Sequence, residues 1–228
     1  ILFSNYVWVT GTSSGANKWA KQFYLEALAR ADLDPRDFVL EIASNDGTFL
    51  KPFLNSGYTN ILGVEPAKNL TSIAEAEGVH TINMFWTSSL AKEILSDRGS
   101  AKFIFARNVI PHVSEIFDAI LGIEIMLDRH GIGAIEFQYV GDIFKELQYD
   151  SIYHEHLCYF SLHTITLLLR KFGLHAFEVI KSPISGGALV VFFSKRSRQE
   201  TVDYLRQMEW EHSIGLNDFD SWRSFSNR

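Results

Sequence analysis

Residues 38–50 read FVLEIASNDGTFL, and residues 63–66 read GVEP. The first stretch opens on an apolar run that leads into an acid, turns through small and polar residues, and reopens at residues 48–50 as a helix start. A second apolar run, residues 61–64, ends on another acid, Glu65. This is the layout of a nucleotide site at the carboxyl edge of a parallel sheet. The tight turn lets backbone approach a ligand, and the second carboxylate accepts bonds from two ribose hydroxyls. The glycines narrow the choice of nucleotide. GxGxxG, which would seat a dinucleotide's pyrophosphate on a helix N-terminus, is absent, and only Gly47 stands in this turn. S-adenosylmethionine has no phosphate and does not need that loop. The competing reading is an ordinary strand–turn–helix with no ligand.

Composition bounds the rest. At 228 residues, 46% hydrophobic and 21% charged, the chain can bury a substantial core and fits one domain with an appendage. A net charge of −6 with no basic run argues against nucleic acid, whose phosphates need clustered Lys and Arg. No apolar stretch reaches the ~20 residues of a membrane span, and no signal peptide is visible. The single cysteine, Cys158, rules out an internal disulfide and a cysteine-based zinc site; the expected location is the cytoplasm. The chain opens on Ile1 and closes on the polar segment DSWRSFSNR, as a fragment would.

Strand-like runs at residues 38–42, 61–64, 80–82, 103–106 and 133–137 alternate with helical patterns at 14–31, 48–55, 70–77, 89–96 and 114–127. Such alternation predicts βαβ units and a parallel sheet with helices on both faces. The order then changes. A helix at residues 162–172 ends at Gly173, and two β-rich runs, 176–180 and 188–194, are joined by SPISGG. Pro183 and the Gly186–Gly187 pair suit a hairpin loop, so this last pair is expected to be antiparallel. Five parallel strands closed by a hairpin predict an α/β fold of the class I methyltransferase type, a Rossmann-like sheet. A dehydrogenase would more often add a sixth parallel strand. Three parts are expected: a helical segment over residues 1–35 capping the active site, a cofactor-binding domain over 36–198, and a helix over 199–213 leading out of it along the 199–228 tail.

The sequence also resembles a known family, the sugar C-methyltransferases that act on nucleotide-linked keto-deoxysugars in antibiotic biosynthesis. The residues that carry the resemblance are LEIASNDGTFL (40–50), GVEPAKNL (63–70), NVIPHV (108–113) and, above all, YDSIYHEHLCYFS (149–161). Strand–NDG–helix segments are widespread, whereas the YHEH block is specific to this group. The likeness runs from about Tyr6 to Lys195. Members usually also carry a cysteine-rich zinc module before this region and a further α/β domain after it, neither of which lies in this chain. The hairpin loop reads Ser185-Gly186-Gly187-Ala188 where the sugar enzymes carry His-Gly-Gly-Ser, which puts the substrate's identity in doubt more than fold or cofactor.

C-methylation beside a ketone needs a base for the α-proton, a donor for the enolate oxygen, and a methyl sulfonium in line with the carbanion. Histidine suits the base because its pKa lies near neutrality, and a neighbouring carboxylate can orient it. In an extended segment His154 and His156 share one face, and Tyr153 and Glu155 the other; in a turn all four could converge. The resemblance implies Glu155 and His156 as the acid/base pair with His156 the base, and Tyr153 and His112 as polar groups on the substrate side. Tyr6, in YVWVTGTSS (6–14), resembles the tyrosine of the family's segment that folds over the active site. The alternatives are a zinc site of His154, His156 and His112, or histidines bonded to backbone carbonyls.

For the cofactor, Glu41 and residues 43–47 (Ala43, Asn45, Asp46 and Gly47 among them) are expected to form the turn after the first strand. Glu65, followed by Pro66, takes the ribose hydroxyls. Asn83, Met84 and Phe85 flank adenine, with Phe85 stacking on it, and Asn108 lies near the methionine part. Ala43 stands where the family has Gly, which is tolerable if its φ stays negative. Trp8, Trp86 and Tyr139 are candidates to line a cleft. The expected activity is methyl transfer from S-adenosylmethionine, leaving S-adenosylhomocysteine, to a carbon of a small-molecule carbonyl compound, with neither nucleic acid nor membrane as partner and no metal. The rival readings are an O- or N-methyltransferase, a cofactor-binding scaffold without activity and, more distantly, an NAD-dependent oxidoreductase.

Overall fold

A computed structural model describes residues 4–184 and 186–227; Ser185 of the hairpin loop lies outside them. In chain order the helices are α1 (Ser14–Ala31), α2 (Lys51–Asn55), α3 (Lys68–Ala76), α4 (Ser88–Arg98), α5 (Ile116–Met126), α6 (Val140–Glu146), α7 (Leu162–Arg170), α8 (Val202–Ser213) and α9 (Phe219–Phe225). The strands are β1 (Val39–Ile42), β2 (Ile61–Val64), β3 (Thr81–Ile82), β4 (Ala101–Arg107), β5 (Leu127–Gln138), β6 (His175–Ser182) and β7 (Ala188–Ser194). They form one sheet of order β3-β2-β1-β4-β5-β7-β6. β1 to β5 pair parallel, whereas β7 is antiparallel to both β5 and β6. Among these strands β7 alone therefore runs against the rest of the sheet, and the fold is the class I methyltransferase type expected.

Alternation along the strands sorts two cores. Leu40, Ile42, Ile104, Ala106, Ile135 and Phe137 face α4, α5 and α7. Val39, Phe103, Phe105, Ile132 and Ala134 face α1, where Phe23 packs edge-on against Phe49 and beside Phe103 and Phe105. Period two then puts Glu41, Arg107 and Glu136 on this α1 face, at the carboxyl ends of their strands.

Several boundaries differ from expectation. α2 starts at Lys51 rather than residue 48, because residues 48–50 form a turn that closes onto Gly47 before Pro52 enters the first helical turn. Helix α6 lies where the sequence pattern predicts no element; its segment holds Gly141, where the Tyr139 ring leaves no room for a Cβ. Helix α8, in the segment expected to lead out of the domain, packs against it. In α8, Tyr204 and Glu211 are buried, and Glu211 accepts bonds from the Tyr139 hydroxyl (2.7 Å) and from the backbone N–H groups of Leu162 and His163 at the start of α7 (2.6 and 3.0 Å). No helix among the described residues is long and apolar enough to cross a membrane.

Candidate active site

A cavity of about 990 Å³ opens at the carboxyl ends of β1, β2 and β4, large enough for a nucleoside-sized ligand with a small acceptor beside it. Glu65, 5% exposed, sits at its floor. Its two carboxylate oxygens accept the backbone N–H groups of Asn45 (2.9 Å) and Ala67 (2.8 Å), which fix the group's direction and leave each oxygen a free lone pair. Burial raises its pKa, and the two N–H bonds oppose the rise.

Glu41 lies within β1 rather than in the turn after it. It is 2% exposed, lines the cavity, and its Oε2 has no hydrogen-bond partner. Burial pushes its carboxyl well above the ordinary range; Arg107 opposes this, while Asp46, Glu65 and Glu136 add to it. Arg107 is itself committed. Its Nε donates to Glu136 at 2.7 Å, both side chains are buried, and the guanidinium lies over the Phe49 ring. Trp19 and Ser182 also donate to Glu136. A buried carboxyl with an orphaned oxygen and a pre-aimed carboxylate fit a ligand that carries an ammonium group and a diol, which is the polar character of S-adenosylmethionine. Phe85, half exposed, adds an apolar face at the rim.

The turn residues divide in a way the motif did not show. Asn45 lines the cavity, but its side chain accepts the Thr10 N–H and donates to the Trp8 carbonyl, each at 3.0 Å. Asp46 accepts the Gly11 N–H at 2.9 Å and the Thr48 hydroxyl at 2.6 Å. Asn69 of α3 closes a further pair of bonds with the backbone of Tyr6. Residues 6–11 thus form a strap over the turn, with Tyr6 and Trp8 lining the cavity. Asp46 and Gly47 do not line it. Gly47, at φ +75°, faces Val79, which a Cβ would meet at 2.9 Å. Ala43 has φ +55°, not the negative value that would make its methyl harmless, so a residue with a Cβ occupies the left-handed region here. Asn45 and Asn108 share that region, which asparagine tolerates better. Pro66 and Asn108 line the cavity; Asn83 and Met84 do not. The Asn83 amide donates to the carbonyls of Glu65 and Pro66, and Met84 is exposed. Of the other aromatic candidates, Trp8 and Trp86 line the cavity, whereas Tyr139 is buried away from it.

The YHEH block also contributes to the cavity, through Tyr153 and His156. It forms a turn in which the His156 N–H donates to the Tyr153 carbonyl at 3.1 Å. The turn brings Tyr153 and His156 together at the cavity, their hydroxyl and Nε2 3.0 Å apart, and leaves His154 and Glu155 at its corner, outside the lining. His112 lies 4.7 Å from His156 between ring centroids, its Nδ1 2.8 Å from the Glu155 carbonyl oxygen. Burial lowers the pKa of both histidines. For His156 the charge of His112 acts with it, and a bond to the Ser151 carbonyl and the Glu155 charge act against it. The Tyr6 and Tyr153 phenols are raised, by burial first and then by Glu155. Near neutrality the histidines are thus unprotonated and the phenols protonated. The structure brings together Tyr6, His112, Tyr153 and His156; Glu155 reaches them through its backbone carbonyl and its charge. No three His, Cys, Asp or Glu side chains among the described residues are grouped as a metal ion requires.

Arg107, Glu136, Gln138, Asp150 and Ser151 were not singled out from sequence. A glutamate inside the apolar run AIEF (134–137) was the available signal for Glu136.

The methyltransferase domain family model matches residues 16–179, and the chain belongs to that family: it is an S-adenosylmethionine-dependent methyltransferase domain. C-methyltransferase NovU of Streptomyces niveus is 29% identical over 228 residues, 99% of this chain and 54% of that protein, so the chain spans about half the length of this curated relative. Magnesium protoporphyrin IX methyltransferase from Synechocystis PCC 6803, solved with bound S-adenosylmethionine, superposes with a TM-score of 0.58 at 12% identity, covering 78% of this chain and 79% of that one. The PH0226 protein of Pyrococcus horikoshii gives a TM-score of 0.62 at 12% identity, covering 82% and 94%. At such identities these two likenesses bear on the fold alone.

Proposed function

We propose that this chain is the catalytic domain of a C-methyltransferase that acts beside the ketone of a nucleotide-linked deoxysugar or a related small carbonyl compound. The observation that carries this reading is the pairing of Tyr153 and His156 in the cavity that Glu65 also lines, with His112 against the same imidazole. Transfer to an oxygen or nitrogen does not need a base for a carbon-bound proton. A neutral histidine beside a protonated phenol supplies one. The C-methyltransferase NovU relative supports the same chemistry.

The methyl donor, when bound, supplies an electrophilic methyl group; Glu41, Glu65 and Phe85 are the side chains placed to hold it, with Asn108 beside them. The chain's own residues do the rest. In the resting site Nε2 of neutral His156 accepts the Tyr153 hydroxyl. An acceptor ketone takes that hydroxyl onto its oxygen and leaves the Nε2 lone pair for its α-hydrogen. The proton passes to Nε2, the C–H electron pair moves into the enolate, and the phenol bonds the oxygen where charge develops. The negative charge of Glu155 favours the imidazolium so formed. Tyr6 and Trp8, carried by the strap, line the same cavity.

The test separates proton removal from methyl transfer. Solvent exchange of the acceptor's α-proton, followed by NMR without methyl donor, should fall about 10²–10⁴-fold in His156→Ala, the usual worth of a positioned base. Exchange at the wild-type rate in that variant would remove His156 from the base role.

A further inference from the structure

The turn that carries His156 is not held by its own sequence neighbours alone. Its N-terminal edge, the single helical turn Tyr149–Ser151, is tied to the last helix of the chain. The Tyr149 hydroxyl donates to the Phe225 carbonyl at 2.8 Å, and the two rings pack with centroids 4.7 Å apart. Phe225 stacks in turn on Phe144 of α6 at 5.7 Å, and Trp222 meets Phe144 edge-on at 5.1 Å. From Tyr149 the contact runs straight to the site. The Ser151 hydroxyl accepts the Gln138 amide at 2.8 Å. The Tyr159 hydroxyl then bridges the segment, accepting the Tyr153 N–H at 3.0 Å and facing the carbonyls of Ser151 and Tyr153. Beside this chain, between Trp222 and the pair Ile152 and Tyr159, lies a cavity of about 390 Å³. On that side the turn is not packed against protein, and the Tyr149–Phe225 contact ties its N-terminal edge.

We propose that Tyr149 and Phe225 are positioning residues for His156: helix α9 latches the YHEH turn so that the imidazole and the Tyr153 hydroxyl stay at the cavity. The consequence for turnover rests on the reading of His156 as the base. The latch itself does not, since it is a statement about where the turn sits. It also gives the C-terminal helices a part in the reaction that their distance along the chain conceals.

The experiment has two arms. In the first, NMR follows the titration of His156 in the 228-residue chain, assigned by its loss in His156→Gln. Wild-type His156, which faces His112, Glu155 and Tyr153, should titrate below an ordinary histidine, because burial and the charge of His112 lower its pKa while the Ser151 carbonyl and the charge of Glu155 act against them. Phe225→Ala should move it toward the ordinary value, and Phe225→Tyr, which keeps the ring, should restore it. A merely structural role would lower the melting temperature and leave this titration in place, and that result overturns the latch. In the second arm the full protein carries Tyr149→Phe, which removes one hydroxyl and keeps the fold. Exchange of the acceptor α-proton should fall roughly three- to tenfold, as for one lost hydrogen bond, while affinity for S-adenosylhomocysteine is unchanged. Unchanged exchange in Tyr149→Phe, in a protein where His156→Ala abolishes it, overturns the inference and spares the base. Unchanged exchange in His156→Ala overturns the base, and the titration arm then decides the latch alone.

Discussion

Glu41→Gln isolates a buried carboxyl whose ionisation the fold opposes. The carboxyl is wholly buried, one oxygen lacks a partner, and its pKa is raised well above the ordinary value, chiefly by burial. The folded state therefore keeps a proton that the unfolded chain releases near pH ~4.3, the usual glutamate value. The sign follows. The contribution to stability is fully present below that pH and is lost as pH rises through the raised folded value, at about 1.4 kcal/mol per pH unit in between. The amide that replaces the carboxyl does not titrate, so the variant should match or trail wild type at low pH and gain on it steadily as pH rises. At roughly 2–4 °C per kcal/mol for a chain of this size, the gap in melting temperature should open by roughly 3–5 °C per pH unit, then level off. Thermal unfolding by circular dichroism, without ligand, in steps from about pH 4.5 to 8 measures it. Melting temperatures that run parallel across the series would refute the reasoning, since they would mean Glu41 is ionised in the fold at no cost. The same variant should bind S-adenosylhomocysteine more weakly, because the group that burdens the empty fold is the one left free for a ligand.

Glu65→Ala removes the carboxylate that Asn45 and Ala67 hold in place, and calorimetry with S-adenosylhomocysteine should show affinity at least about tenfold weaker, as for a lost charged hydrogen bond of about 1.5–3 kcal/mol; unchanged affinity would exclude it from the ligand. Ala43→Gly should raise the melting temperature by about 2 °C, because the left-handed strain relieved, about 1–2 kcal/mol, exceeds the entropy that glycine adds to the unfolded chain. A lower melting temperature would count against strain at that residue. The acid limb of kcat/KM should fall below about pH 6.5, since His156 must be unprotonated and burial lowers its pKa; a limb above that pH would contradict the assigned base.

The parallel sheet was legible because the strand runs are apolar and each ends where a polar turn begins, as at residues 39–42 and 61–64. The hairpin was legible from Pro183 and its glycines. Other elements rest on partners that a local pattern does not contain. α9 is polar along DSWRSF and forms because Trp222 and Phe225 reach Phe144. The first residues of β5 include exposed Arg129 and His130, which hide a strand that pairing with β4 extends back to Leu127.

The site divides by the same rule. Glu65 could be read from sequence because an acid at the end of a strand has one place to go, the sheet's carboxyl edge. Asn45 and Asp46 stand in the same motif, yet their side chains bond the backbone of Thr10 and Gly11, 35 residues earlier. The NDG turn is thus the point where Glu65 and the strap are joined: the Asn45 N–H donates to Glu65 while the Asn45 side chain bonds the backbone of Trp8 and Thr10. One residue in the left-handed region makes both sets of bonds. A motif read from sequence as a ligand contact also joins, in this fold, two sides of the pocket.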